Sequence, residues 1–252
     1  MNDSRQTTAK NQKTGNTNRQ KMDLPSIPDS LASHLYDFSW VKPWLFLKVV
    51  SRDQDREKYA DAIQYQFLDL MAVVCIKCTL IEDCSCAIIL HPLLDKWDIT
   101  AQELFKLALE NTRKLYPHTL YTLPGLIKQI SADIGNMLSD EMEIPLFVLS
   151  NTKLEYGASN LLYKEVLKRA GTEMECERYW ILPSSIHECI LVPCNIQFQD
   201  ASMLRQLVID INKKLIPGDF LSNSIYQFDC HTGCLSKIEE SQEVIQWNMC
   251  LQ

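Results

Sequence analysis

The sequence predicts an α+β protein, with a mixed, largely antiparallel sheet and about four packed helices. Two observations carry that class. Segments with strand and helix patterns follow the order β-β-β, α-α, β-α, β-β, α, β-β. Several of the strand-like segments fall in hairpin-like pairs, which argues against a purely parallel sheet. A third observation sets the domain count: residues 40–238 contain no linker long enough to mark a boundary. The expected organisation is a disordered basic tail over residues 1–22 and a single α+β domain over residues 23–252.

The elements follow in order. After a proline-punctuated lead-in over 24–40, residues 44–50 read as a strand of large apolar side chains. Residues 53–62 are charged and fit a loop or short helix. Residues 67–81 read as one long strand and 84–90 as its hairpin partner, with Glu82-Asp83 at the turn. Thr100 and Glu103 form a capping box for a helix that Pro117 ends. Pro124 suits a helix start, and Ile127, Ile130, Ile134 and Met137 keep the 3.6-residue period. Residues 144–150 are a short apolar strand. Residues 158–170 are helical, with Gly171 as the C-terminal stop. Strands over 177–182 and 188–193 flank Pro183-Ser184-Ser185. Asp200 caps a helix whose inner face is Leu204, Leu207, Val208, Ile211 and Leu215, closed by Pro217-Gly218. A final hairpin takes 222–229 and 234–238. The end, 239–252, is loosely attached or adds a short strand.

Composition excludes several functions. A chain of 252 residues with 46% hydrophobic and 23% charged residues has enough apolar surface for a full core. The longest apolar run, residues 70–76, ends at Lys77, far short of the roughly 20 residues a membrane span requires. The net charge of −7 divides unevenly: residues 1–22 carry +4 and the remainder −11. An acidic body disfavours nucleic acid, whose phosphates need basic partners. The seven glycines are scattered, so no dinucleotide fingerprint or phosphate-cradling loop is present, and no cofactor is expected.

Ten cysteines without a secretory leader point to reduced thiols in a cytoplasmic protein. Cys75, Cys78, Cys84 and Cys86 have a spacing that tempts a zinc reading, since four thiolates hold zinc tetrahedrally. On a strand, however, Cys75 and Cys78 point to opposite faces. The plainer reading is buried thiols acting as small hydrophobes.

Two segments gather polar groups. The turn Ser184-Ser185-Ile186-His187-Glu188 joins two apolar strands and holds hydroxyls, an imidazole and a carboxylate within five residues. In a catalytic role His187 is a general base and Ser185 a nucleophile. In the plainer role the hydroxyls satisfy backbone amides of a hairpin turn. The second segment is Asn151 with Tyr156 and Gly157, at a strand-to-helix junction where Gly157 permits close approach. Its plainer role is a helix-entry loop. The two segments gain weight if they meet in one cleft. His34, His91 and His118 are isolated, and Asp140, Glu141 and Glu143 read as a solvated loop.

Three segments together resemble a known family. They are Phe67-Leu68-Asp69-Leu70-Met71-Ala72-Val73-Val74, then Leu149-Ser150-Asn151 with Tyr156-Gly157-Ala158 and Leu161-Leu162-Tyr163, then Ile181-Leu182-Pro183-Ser184-Ser185-Ile186-His187-Glu188 with Ile190-Leu191-Val192-Pro193. Ile211-Asn212 and Leu221-Ser222-Asn223 add to the likeness. Over about 44–230 the chain resembles an uncharacterised bacterial family, a domain of unknown function present in multiple copies in anaerobic gut bacteria. Cys189 departs from the aliphatic residue expected there. The resemblance implies a bacterial or phage-borne origin and a soluble α+β fold, and no reaction.

The first functional expectation is a soluble binding module for a protein or small polar ligand. The second, from a different class, is a hydrolase or transferase using Ser185, His187 and Glu188 with Asn151. The third is a cysteine-held zinc site.

Overall fold

A computed structural model describes residues 34–54, 56–78, 86–130, 146–194, 201–213, 218–238 and 244–247. The basic tail, the Glu82-Asp83 turn, Cys84, Ile134, Met137, the Asp140 cluster, the Asp200 cap, Leu215 and Pro217 lie outside these residues. The architecture is α+β, with two antiparallel sheets. No helix among the described residues is long and apolar enough to cross a membrane.

The smaller sheet holds β1 (Leu45–Ser51), β2 (Gln64–Phe67), β3 (Leu70–Lys77) and β4 (Cys86–Ile88). Strand β3 is central: β1 pairs along one edge, β2 and β4 along the other. The expected single strand over 67–81 is therefore two strands. Its apolar run is broken at Leu68-Asp69, where Leu68 takes a left-handed φ of 50°. Arg52 holds this turn through Nη1 to the Leu68 carbonyl (2.9 Å), and its own amide bonds the Asp69 carbonyl (3.1 Å). No glycine or asparagine marks the turn, because tertiary contacts hold it.

Asp69 also ties the two sheets together. Its carboxylate accepts from Ser222 Oγ, Ser224 Oγ and Tyr226 Oη, each at 2.7 Å, with Lys237 Nζ at 3.9 Å. Burial raises the Asp69 pKa, but the hydrogen bonds and Lys237 outweigh it and hold the group below the usual value.

The larger sheet has the order β11-β10-β9-β7-β8-β6-β5. Its strands are β5 (His118–Thr122), β6 (Phe147–Asn151), β7 (Arg178–Leu182), β8 (Cys189–Pro193), β9 (Ile225–Asp229), β10 (Cys234–Ile238) and β11 (Val244–Trp247). The expected strands recur within a few residues. Strand β5 is additional, and β11 is the short strand expected near the end. Buried side chains of both sheets merge into one apolar cluster.

Among the described residues four α-helices have eight residues or more. They are α3 (Ala101–Leu115), α4 (Leu123–Ile130), α5 (Lys164–Glu173) and α6 (Ala201–Asn212). Short helices α1 (Phe38–Val41) and α2 (Pro92–Trp97) precede them. The α3 capping box forms in full: Thr100 Oγ1 accepts from the Glu103 amide, and Glu103 Oε2 accepts from the Thr100 amide. Helix α3 lies along β1, where Thr112 Oγ1 accepts from the Leu47 amide (2.8 Å) and donates to Ala108 O (2.7 Å). That threonine satisfies an amide the sheet leaves unpaired.

The expected helix over 158–170 is instead a 3-10 helix, Gly157–Leu162, followed by α5. Tyr163 separates them with extended backbone (φ −119°), held by its hydroxyl on Leu109 O at 2.7 Å. Gly171 is not the stop; it lies inside α5. A Cβ there would collide with Cys230 Sγ, so close packing explains the glycine.

Candidate functional site: a clamped turn beside a thiol and lysine cluster

Strands β7 and β8 form a hairpin with Leu182 opposite Ile190, and the Ser-Ser-Ile-His-Glu turn closes it. The turn holds itself together. Ser185 Oγ donates to Glu188 Oε1 at 2.8 Å and accepts from the His187 amide at 3.0 Å. Ser184 Oγ donates to the Glu188 carbonyl (3.2 Å) and lies 3.3 Å from Oε1. Both serines are buried. A buried hydroxyl without a partner is costly, and here each finds one in the turn.

Asn151 ends β6 and folds the next loop. Its Oδ1 accepts from the Lys153 amide (3.0 Å) and the Glu155 amide (3.4 Å), while Nδ2 donates to Glu155 O at 2.6 Å. The loop needs left-handed backbone at Leu154 (φ 54°) and Tyr156 (φ 53°). That conformation turns the Tyr156 amide onto His187 Nδ1 at 3.3 Å.

The two segments meet, side by side, because β6 pairs with β8. The His187 carbonyl accepts from the Gly157 amide (3.0 Å) and Ser150 Oγ (2.7 Å), and the Ile186 carbonyl accepts from the Ala158 amide (3.2 Å). Gly157 permits this approach: a Cβ would collide with the His187 carbonyl oxygen and lie 2.7 Å from Ser150 Cα. On the far side, His187 Nε2 lies 3.4 Å from Asp219 Oδ1. Since Nδ1 accepts, the neutral ring carries its proton on Nε2, facing Asp219. The imidazole thus holds three segments together. Among the described residues no hydrogen bond joins the Ser185 hydroxyl to this ring.

Tyr156 links the clamp to the smaller sheet. Its ring packs 5.1 Å from Phe46, 5.6 Å from Tyr116 and 5.8 Å from His187, centroid to centroid. Its hydroxyl donates to Cys86 Sγ at 3.5 Å. Lys48 Nζ lies 5.4 Å from its centroid. Two further ammonium groups, Lys77 and Lys153, lie 5.3 and 5.2 Å from the centroid of Tyr116. Lys153 also donates to Leu115 O at the end of α3 (3.0 Å). Burial and then the neighbouring Lys153 lower the Lys77 pKa, against the opposing effect of the Glu155 carboxylate. The Tyr116 hydroxyl is buried and has no hydrogen-bond partner among the described residues.

Register explains the grouping. Phe46 lies opposite Cys75 and Lys48 opposite Val73, so Phe46, Lys48, Cys75 and Lys77 share one face of the sheet. Lys77 lies opposite Cys86, which adds Cys86 to that face. The Cys75 and Cys86 thiols are neighbours on that face. This contact lowers the Cys86 pKa to about 6 against the opposing effect of burial, with Tyr156, Lys48 and Lys58 assisting. The same contact, then burial, pushes Cys75 well above its usual value.

The structure thus brings together Ser184, Ser185, His187, Glu188, Asn151, Tyr156 and Gly157, and adds Lys48, Lys77, Lys153, Tyr116 and Cys86. Of the sequence's zinc candidates, Cys75 and Cys86 are neighbours, and Cys78 Sγ is directed to Ile76 O (3.7 Å). Among the described residues no three His, Cys, Asp or Glu side chains converge as metal ligands. A separate hollow of about 580 Å³, lined by Arg52, Arg56, Gln64 and Gln66 among others, contains none of the sequence-predicted residues.

These features define an α+β protein with an internally clamped turn. The chain belongs to a family of unknown function, DUF5688, whose model matches residues 14–230. The match begins within the segment read as a tail and so exceeds the expected 44–230. No curated protein and no solved structure matches the chain.

Proposed function

We propose that this protein is a binding module for a small anionic ligand, held by Lys48, Lys77 and Lys153 over Tyr116 and Tyr156. One observation carries the reading: two ammonium groups share one tyrosine ring whose buried hydroxyl has no partner among the described residues. Like charges held together disfavour each other, and an anion between them removes that cost. An unpartnered buried hydroxyl costs about 1–3 kcal/mol, which a ligand's acceptor would recover. Glu155 offsets part of the charge at Lys77 and Tyr116, and three ammonium groups against one carboxylate leave this cluster positive on a chain that is acidic overall.

The hydrolase or transferase alternative requires Ser185 to reach His187. Ser185 Oγ is engaged by Glu188 and His187 N instead, which weighs against it. The reading places the protein in the bacterial cytoplasm. A content of ten cysteines, read as reduced thiols, supports a reducing compartment, and the resemblance supports a bacterial origin.

The test is thermal shift and calorimetry with inorganic phosphate, pyrophosphate and citrate at low ionic strength. At ten times Kd, binding adds about 1.4 kcal/mol of stability, a rise of about 3–5 °C in Tm. Lys77→Ala and Lys153→Ala each weaken binding at least fivefold. No shift with any of the three anions at 10 mM refutes the reading.

A further inference from the structure

We propose that Cys86 is a nucleophilic thiol that hydroperoxides oxidise to a sulfenic acid, and that Cys75 resolves this acid as an intramolecular disulfide. This stands apart from anion binding and does not depend on it.

Placement argues first. Cys75 lies opposite Ile88, and Cys86 lies opposite Lys77 two residues along, so both thiols are on one face of adjacent strands. Cys75 is fully buried, whereas Cys86 is half-buried. A small oxidant therefore meets Cys86 first. The Tyr156 hydroxyl donates to its sulfur at 3.5 Å. Among the described residues the charged or titratable groups around it are Cys75 and the cross-strand neighbour Lys77 on β3, Lys48 on β1, Lys58 in the segment before β2, and Tyr156 and Tyr116 opposite. This surrounding is electropositive and rich in donors, which favours thiolate. The contrast with other thiols is sharp: burial pushes Cys176 up to about 11 and raises Cys194 and Cys230.

The chemistry closes. The Cys86 thiolate attacks the terminal peroxide oxygen, an S–O bond forms and the O–O bond breaks. Sulfur loses two electrons, the peroxide gains them, and the leaving alkoxide or hydroxide takes a proton from solvent. Cys86 is now neutral, which removes the largest cause of the high Cys75 pKa. Cys75 loses its proton and its sulfur attacks Cys86. The S–S bond forms, the S–O bond breaks, and hydroxide leaves with that proton as water. Two thiols and one hydroperoxide yield one disulfide, one alcohol or water, and one water.

The magnitude follows from thiolate fraction. At pH 6 a thiol with a pKa of about 6 is half ionised, about 500-fold more than one at the ordinary 9.0. Lower basicity takes back a factor of about 15–30, which leaves roughly 20-fold faster attack.

The experiment treats the reduced full chain with hydrogen peroxide at pH 6, blocks remaining thiols with N-ethylmaleimide and maps tryptic peptides. Cleavage isolates Cys75 on 59–77, away from Cys78, Cys84 and Cys86 on 78–96. The expected first product is a Cys75–Cys86 cross-link between these peptides. Cys75→Ser leaves a Cys86 sulfenic acid that dimedone traps, and Cys86→Ser abolishes the cross-link. Alkylation of the unmodified chain by iodoacetamide at pH 6 gives a readout independent of both variants. Cys86 reacting no faster than Cys176 or Cys194, or a first disulfide joining any other pair, overturns the proposal.

Discussion

Replacing Gly157 by alanine tests the clamp between the Asn151 loop and the His187 turn. Gly157 is not in the left-handed region, so the added methyl costs nothing in backbone conformation. The cost is contact. The Cβ would collide with the His187 carbonyl oxygen and lie 2.5 Å from Ser150 Oγ and 2.7 Å from Ser150 Cα. Two of these three are backbone atoms and cannot rotate away. The segments must part, and the His187 carbonyl then loses its bonds from the Gly157 amide and Ser150 Oγ. Two hydrogen bonds at about 1 kcal/mol each, plus overpacking of about 1–3 kcal/mol, give a loss of about 3–5 kcal/mol. Urea unfolding followed by tryptophan fluorescence measures it, and Tm should fall by about 10 °C for a domain of this size. Ser150→Ala alone loses about 1 kcal/mol. The double variant should cost less than the sum, because the Ser150 bond is already broken by the methyl. A loss below about 1 kcal/mol for Gly157→Ala refutes the reasoning, since overpacking alone should exceed it.

Asp69→Asn should cost about 2–4 kcal/mol, because an amide nitrogen then faces three hydroxyl donors in place of a carboxylate oxygen. The Asp69 pKa is depressed, so its contribution is complete above the unfolded value and is lost as pH falls below 3.8 through the folded value. Denaturation curves from pH 7 to pH 3 should therefore converge for the two proteins at the acid end; parallel curves would contradict the tether. Tyr156→Phe removes the hydroxyl on Cys86 while keeping the backbone bond to His187. The pH midpoint of Cys86 alkylation should rise from about 6, and an unchanged midpoint would show that the phenol has no part in it.

Local chemistry made much of the fold legible. Thr100 and Glu103 announce a helix start through a pairing complete within four residues, and it forms. The strands on either side of the Ser-Ser-Ile-His-Glu turn are bounded by proline and polar residues, and they appear in place. The misses share a different cause. The Leu68-Asp69 turn has no local turn signal, because it is held by Arg52 and by serines and a tyrosine more than 150 residues along the chain. Gly171 looks like a helix stop in one dimension, yet its reason is Cys230, which only the fold brings near.

The site divides the same way. The hydroxyls, imidazole and carboxylate of the turn are adjacent in sequence, so they attract notice, yet the hydroxyls and carboxylate satisfy one another and the imidazole is taken up by Tyr156 N and Asp219. The side chains that the structure adds, Lys48, Lys77, Cys86, Tyr116 and Lys153, are scattered between positions 48 and 153. They nevertheless left a signal. Lys48 interrupts Leu45–Ser51, a strand otherwise buried, and Lys77 ends the buried run of β3. A lysine placed in such a strand must either reach solvent or be offset by a partner. Alternation alone puts Cys75 and Lys77 on one face of their strand; the β1–β3 register brings Lys48 to that face. The structure alone supplies what covers that face: Tyr116 from the end of α3 and Tyr156 from the clamped loop, with Cys86 between the tyrosine and its companion thiol. The clamp thus has a purpose beyond the turn it closes. It fixes the left-handed Tyr156, and through that one residue it sets the ring under Lys48, the edge packed on Tyr116 and the donor on the thiol.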